Sequence, residues 1–103
     1  MPKQLLTHAR PMEPEKIYQY LEDLAEKLGI SIRYEDLSGS QCMAKSGLCR
    51  IKGRYFYIMD TSRDLTEKIG LLAQCLGQMD LEGIYVVPAI RELLERSRPH
   101  YPR

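Results

Sequence analysis

The chain has 103 residues, of which 44% are hydrophobic and 28% charged, a composition typical of one globular domain and not of a disordered chain. Its 15 basic and 14 acidic residues give a formal net charge of +1, which excludes the basic surplus of a dedicated nucleic-acid binder. No apolar run approaches the ~18 residues that a membrane span requires, so no membrane partner is expected.

The cysteine content indicates a reducing compartment. Cys42, Cys49 and Cys75 are odd in number and form no C-x-x-C pair, whereas small secreted domains carry dense, even sets. The apolar residues near the N-terminus are soon interrupted by His8 and Arg10, which is not the pattern of a secretory leader. We therefore expect a cytoplasmic protein with reduced thiols and no cofactor.

The first elements follow a short arm. Residues 1–11 show no period and are predicted to be loose. Pro14 suits the first position of a helix, whose apolar residues recur at helical spacing until Gly29 ends it. Residues 30–34 then alternate between apolar and polar side chains, which predicts a half-buried strand.

A β-hairpin is predicted after a polar loop over residues 35–46. Residues 48–51 and 55–59 are rich in apolar and aromatic side chains and flank Lys52-Gly53-Arg54. Gly53 can adopt the positive φ that a tight hairpin turn requires.

Two further helices complete the chain. Asp64 and Glu67 have the spacing of a capping box at the start of the second helix. Residues 80–87 fit either a short strand or an extended approach to a last helix that begins at Pro88 and ends in a frayed tail over residues 98–103. The buried faces of these helices are predicted to contain Leu65, Ile69, Leu72, Ala73, Leu76, Met79, Ile90, Leu93 and Leu94.

The order of elements predicts one α+β domain over residues 12–97. A small sheet that includes the hairpin is expected to pack against the first two helices, with a short C-terminal helix added.

Residues 73–78 carry the most informative motif, Ala-Gln-Cys-Leu-Gly-Gln. This segment resembles the A-H-E-L-G-H motif of the ImmA/IrrE-like zinc metallopeptidases, and the order of elements over roughly residues 14–80 is similar to that family. Gln74 and Gln78 stand where the resemblance implies two zinc-binding histidines, and Cys75 stands where it implies the general-base glutamate. The resemblance thus implies a degenerate zincin-like scaffold.

The replaced residues argue against the family's activity. Residues four apart share one helix face, which lets paired imidazoles hold one zinc ion, but glutamine amides are not usual zinc ligands. No carboxylate stands at position 75 to activate a metal-bound water. We expect no catalytic residue and no metal, and we predict a groove for a peptide or protein segment formed by Gln74, Cys75 and Gln78 under a loop from Ser38 to Ser46.

Three alternatives remain open from the sequence. The first is a thiol- or metal-dependent enzyme that uses Cys75. The second is weak nucleic-acid binding through Tyr55, Tyr57 and a basic tail, although an aromatic strand face packed on a helix explains the tyrosines as well. The third is a homodimer, suggested by apolar residues expected to be exposed, namely Leu71, Ile84 and Tyr85.

Overall fold

The computed structural model describes residues 12–38 and 47–98. This part of the chain has the predicted α+β architecture, with three helices and a three-stranded sheet that contains a hairpin. The arm over residues 1–11, most of the predicted loop (39–46) and the tail from residue 99 lie outside the described residues. The elements are α1 (Pro14–Lys27), β1 (Ile30–Glu35), β2 (Gly47–Ile51), β3 (Arg54–Asp60), α2 (Leu65–Leu76) and α3 (Pro88–Ser97).

The sheet has the strand order β1-β3-β2, so the last strand in the chain occupies the centre. β1 runs parallel to β3, with Ile30 opposite Tyr55 and Glu35 opposite Asp60. β2 runs antiparallel to β3, with Gly47 opposite Ile58. Within the described residues, both β1 and β2 therefore lie at an edge of the sheet.

The predicted hairpin is confirmed, with a turn of two residues. Lys52 and Gly53 both have positive φ, 52° and 81°, which is the conformation of a type I′ turn. Arg54, expected in the turn, instead pairs with Ile51 and begins β3. The two-residue turn sets the register of the β2–β3 pair.

Local signals fix the helix ends as predicted. Pro14 is the first residue of α1, and Gly29 follows its end with a φ of 80°. At the start of α2, the Glu67 N–H donates to the Asp64 side chain at 2.8 Å, and the Asp64 N–H donates to the Glu67 side chain at 3.2 Å. These reciprocal bonds satisfy two backbone donors that a helix start leaves unpaired.

The core lies between the helices and one face of the sheet. Tyr57 and Met59 alternate along β3 with less buried neighbours, because successive strand residues point to opposite faces. α2 contributes four buried residues, the largest share of any helix in the described chain. The buried apolar residues of the three helices are Leu21, Leu24, Ala25, Leu72, Ala73, Cys75, Leu76, Ile90 and Leu94.

The segment between α2 and α3 contains no strand, so the extended approach is the correct one of the two alternatives. Gly83 has a φ of 84°, and the chain then runs extended to Val87. The Val87 N–H donates to the Tyr20 hydroxyl at 3.0 Å, and Val86 is 2% exposed. This bond anchors the segment to α1. None of the described helices combines the length and the hydropathy needed to cross a bilayer.

Candidate functional site

A surface cavity of about 300 Å³ lies where α2 faces the edge strand β2. We call it the β2–α2 cavity. It reaches the lower end of the volume range of ligand pockets. The sheet contributes Gly47, Leu48 and Tyr57, and α2 with the residues after it contributes Leu71, Gln74, Cys75, Gln78 and Met79.

The structure brings together Gln74 and Cys75, near the end of α2, and Gln78, two residues beyond it, in the lining of this cavity. Both glutamines are exposed. The Gln78 Nε2 donates to the Gln74 main-chain carbonyl at 3.1 Å, which leaves the Gln78 side-chain oxygen as an acceptor. The Gln74 side chain makes no hydrogen bond to any described residue, so its amide can both donate and accept.

Cys75 forms part of the cavity wall but is a buried core residue, 8% exposed. Burial raises the pKa of the Cys75 thiol to about 11, because the low-dielectric surroundings disfavour the charged thiolate. Tyr57 lies in the same wall and donates from its hydroxyl to the Leu71 carbonyl at 3.4 Å. Burial also raises the pKa of Tyr57 to about 12, so both groups are neutral near pH 7.

The edge of β2 offers backbone groups beside the cavity. In a hairpin with a two-residue turn, the pair that closes the turn is hydrogen-bonded, and hydrogen-bonded pairs alternate with non-hydrogen-bonded ones. Ile51 and Arg54 close this turn. Leu48 and Arg50 therefore belong to non-hydrogen-bonded pairs, and their N–H and C=O groups point away from β3 toward the open edge.

The donor set of residues 73–78 does not fit a zinc ion. The Gln78 amide nitrogen is a donor already directed at a carbonyl, the Gln74 side chain is also a neutral amide, and Cys75 is a buried core residue, whereas zinc sites combine several thiolates, imidazoles or carboxylates. Across residues 12–38 and 47–98, no three His, Cys, Asp or Glu side chains converge to hold a metal.

Of the loop predicted from Ser38 to Ser46, only Ser38 belongs to the described residues. Ser38 is not among the residues that line the cavity, and its hydroxyl donates to Asp36 at 2.6 Å, where it helps to form a turn after β1. Its backbone N–H donates to the same carboxylate oxygen at 3.0 Å. Ser46 lies outside the described residues, as does Cys42.

The two hairpin tyrosines have different surroundings. Tyr57 is 4% exposed and packs in the core, so its ring cannot stack on a nucleic-acid base. Of the two interpretations, an aromatic strand face packed on a helix is the correct one for this residue. Tyr55 is 42% exposed, and the Arg50 guanidinium lies over its ring at 5.6 Å. Of the basic tail, Arg98 is described and exposed, while His100 and Arg103 lie outside the described residues.

Two residues behind the homodimer expectation are less exposed than predicted. Leu71 and Ile84 are half-buried and pack against the core. Tyr85, at 73%, is exposed as expected. The homodimer stays a prediction, and of the three residues that suggested it, Tyr85 alone is exposed.

Sequence reasoning missed the sheet side of the cavity. Gly47 and Leu48 line it, yet neither was proposed as a site residue, and neither was Met79, which follows α2. The apolar content of residues 48–51 suggested a strand, but it did not indicate that this strand would lie beside the end of α2. A prediction of strand order would have been needed to find Leu48.

Comparison with known proteins gives no further guide to the class of this protein. No protein-family model, no curated protein and no solved structure matches the chain. The resemblance to the metallopeptidases therefore rests on residues 73–78 and on the order of elements.

Proposed function

We propose that this protein is a non-catalytic binding module on a degenerate metallopeptidase-like scaffold. Its partner is an extended segment of a peptide or protein, which lies along β2 and fills the β2–α2 cavity. The observation that carries the proposal is the juxtaposition of an open strand edge with a cavity lined by an uncommitted amide, that of Gln74.

The strand edge supplies sequence-independent affinity. Leu48 and Arg50 offer two outward pairs of backbone N–H and C=O groups, and an extended segment satisfies them by adding a strand to the sheet. A strand added there places alternate side chains on the helix side of the sheet, because the side-chain period of a strand is two. One such side chain enters the cavity.

The cavity supplies selectivity. Its wall includes the apolar groups of Leu48, Leu71 and Met79, which favour an apolar side chain. Gln74 can donate to a carbonyl and accept from an N–H of the same segment, a pairing that suits a peptide backbone better than an ion.

The scaffold supports a binding function without peptidase chemistry. Amides at positions 74 and 78 and a protonated thiol at position 75 provide neither zinc ligands nor a general base. The alternative of a thiol enzyme gains no support from a cysteine whose pKa is raised by burial.

The proposal is tested by selecting random ten-residue peptides on phage against the full-length protein and measuring the affinity of the enriched peptides. We expect Leu48→Pro to weaken binding about three- to tenfold relative to Leu48→Ala, because both remove the side chain but only proline removes an outward N–H. Proline is tolerated on an edge strand when the missing N–H faces outward.

A second pair of variants tests the amide. Gln74→Ala should weaken the same peptides about three- to tenfold, while Gln19→Ala, the same change on an exposed part of α1, should leave their affinity unchanged. Thermal melts establish that each variant is folded. The proposal fails if no peptide is enriched, or if enriched peptides bind all four variants equally.

A further inference from the structure

A second cavity continues the first one along the end of α2. It has a volume of about 170 Å³ and lies between the residues that follow α2 (Gly77, Gln78, Met79 and Leu81) and one side of α3. We call it the α2–α3 cavity. Gln78 and Met79 line both cavities, so the two are neighbours on the surface. A segment that leaves β2 and passes Gln78 reaches this second cavity.

The α2–α3 cavity is rich in positive charge. Arg91 and Arg98 line it together with one carboxylate, Glu95. Arg91 and Glu95 share a face of α3, since they are spaced four apart, and Arg98 follows the helix directly as its C-cap residue. No ion pair joins either arginine to a carboxylate among the described residues. Even if Glu95 turned to one arginine, the other would retain its charge.

The first cavity has a different character. Among the described residues, no acidic or basic side chain lines the β2–α2 cavity, and the ionisable groups in its wall are the neutral Cys75 and Tyr57. The two neighbouring cavities, together called the groove, thus have a neutral, partly apolar end and a cationic end. A matching segment carries an apolar residue at one position and a negative charge at another.

We propose that the partner segment is acidic at its α3 end. This proposal rests on the proposed function. An Asp or Glu side chain of the bound peptide contacts Arg91 and Arg98, and it lies at a fixed spacing from the apolar residue that fills the β2–α2 cavity. The guanidinium fork pairs with a carboxylate through two parallel hydrogen bonds, which fixes direction as well as charge. The groove thereby selects both the composition of the segment and its orientation.

The phage selection described above tests this assignment with the same ten-residue library. Peptides enriched on the wild-type protein should carry Asp or Glu at a constant offset from an apolar residue. Arg91→Glu and Arg98→Glu should each weaken these peptides at least tenfold, and selection on either variant should favour Lys or Arg at that offset.

Arg96→Glu is the matched control. Arg96 lies on α3 but lines a different cavity, beside Met12 and Ile17, so the same change in net charge should leave affinity within about twofold. The assignment is overturned if enriched peptides are sensitive to Leu48→Pro but carry no acidic residue at a fixed offset. It is also overturned if Arg96→Glu weakens binding as much as Arg91→Glu does. Loss of all enrichment would instead overturn the proposed function.

Discussion

The Cys75 side chain packs in the core and also forms part of the wall of the β2–α2 cavity. Its neighbours in α2, Leu72 and Leu76, are completely buried, and the thiol itself is 8% exposed. Sulfur in such surroundings behaves as a small apolar group. Cys75 is therefore a packing residue with one side toward the β2–α2 cavity.

Cys75 should be chemically inert under mild conditions. With a pKa of about 11, on the order of one thiol in ten thousand is ionised at pH 7, and the thiolate is the nucleophile. We expect iodoacetamide to modify Cys49, which is half-buried on β2, well before Cys75 in the folded protein, as followed by mass spectrometry of tryptic peptides. In denaturant both should react readily. Faster modification of Cys75 at neutral pH would instead favour the thiol-enzyme alternative.

At the level of elements, the contact between α2 and α3 depends on Gly77. A Cβ atom built there would lie 2.7 Å from the Leu94 carbonyl oxygen and 3.1 Å from that of Ala73. Gly77 has a helical φ of −65°, so backbone freedom does not explain it. The absence of a side chain allows the end of α2 to lie directly against α3.

A pair of glycine substitutions in and after α2 should have opposite effects. Gly77→Ala is expected to lower the free energy of unfolding by about 1–3 kcal/mol, because a backbone carbonyl must move to admit the methyl group. Gly70→Ala, within α2 and facing open space, should raise it by about 0.5–1 kcal/mol through helix propensity. Urea unfolding of both variants measures the difference. Equal effects would show that packing against α3 does not constrain position 77.

The sequence predicted the local features of these elements better than their arrangement. Pro14, Gly29, Gly53 and the Asp64 cap each act within a few residues, so their effects are readable from the chain, and the structure confirms them. The parallel pairing of β1 with β3 depends on contacts between residues about 25 apart. Periodicity carries no record of such contacts, which is why Leu48 was missed as a cavity residue.

At the scale of the whole molecule, Asp60 ties the ends of the two parallel strands together. Its Oδ1 accepts hydrogen bonds from the Leu37 N–H after β1, at 3.1 Å, and from the Ser62 N–H and hydroxyl after β3, at 3.0 and 2.8 Å. Arg63 lies 3.6 Å from its other oxygen. The bonds from Ser62, the largest cause, hold the pKa of the Asp60 carboxyl below its ordinary value of 3.8.

Stability should therefore fall in acid partly through Asp60. A carboxyl with a lowered folded-state pKa stabilises the fold fully above its unfolded pKa of about 4, and this contribution is lost as pH falls through the lower folded value. We expect Asp60→Asn to have a lower free energy of unfolding than wild type near neutral pH. This difference in free energy should narrow below about pH 4. Urea unfolding across this range measures the gap. Asp23→Asn, an exposed change on α1, is the control, and an equal gap at every pH would contradict the prediction.

The tight approach at Gly77 also has a kinetic consequence. Because the Leu94 carbonyl sits where a side chain would begin, α2 and α3 cannot slide closer, and Tyr20 fixes the connecting segment through Val87. This end of the groove is thus already shaped before a partner arrives. Encounter with an extended segment should then be governed by diffusion and docking orientation, with no slow rearrangement of the helices preceding capture.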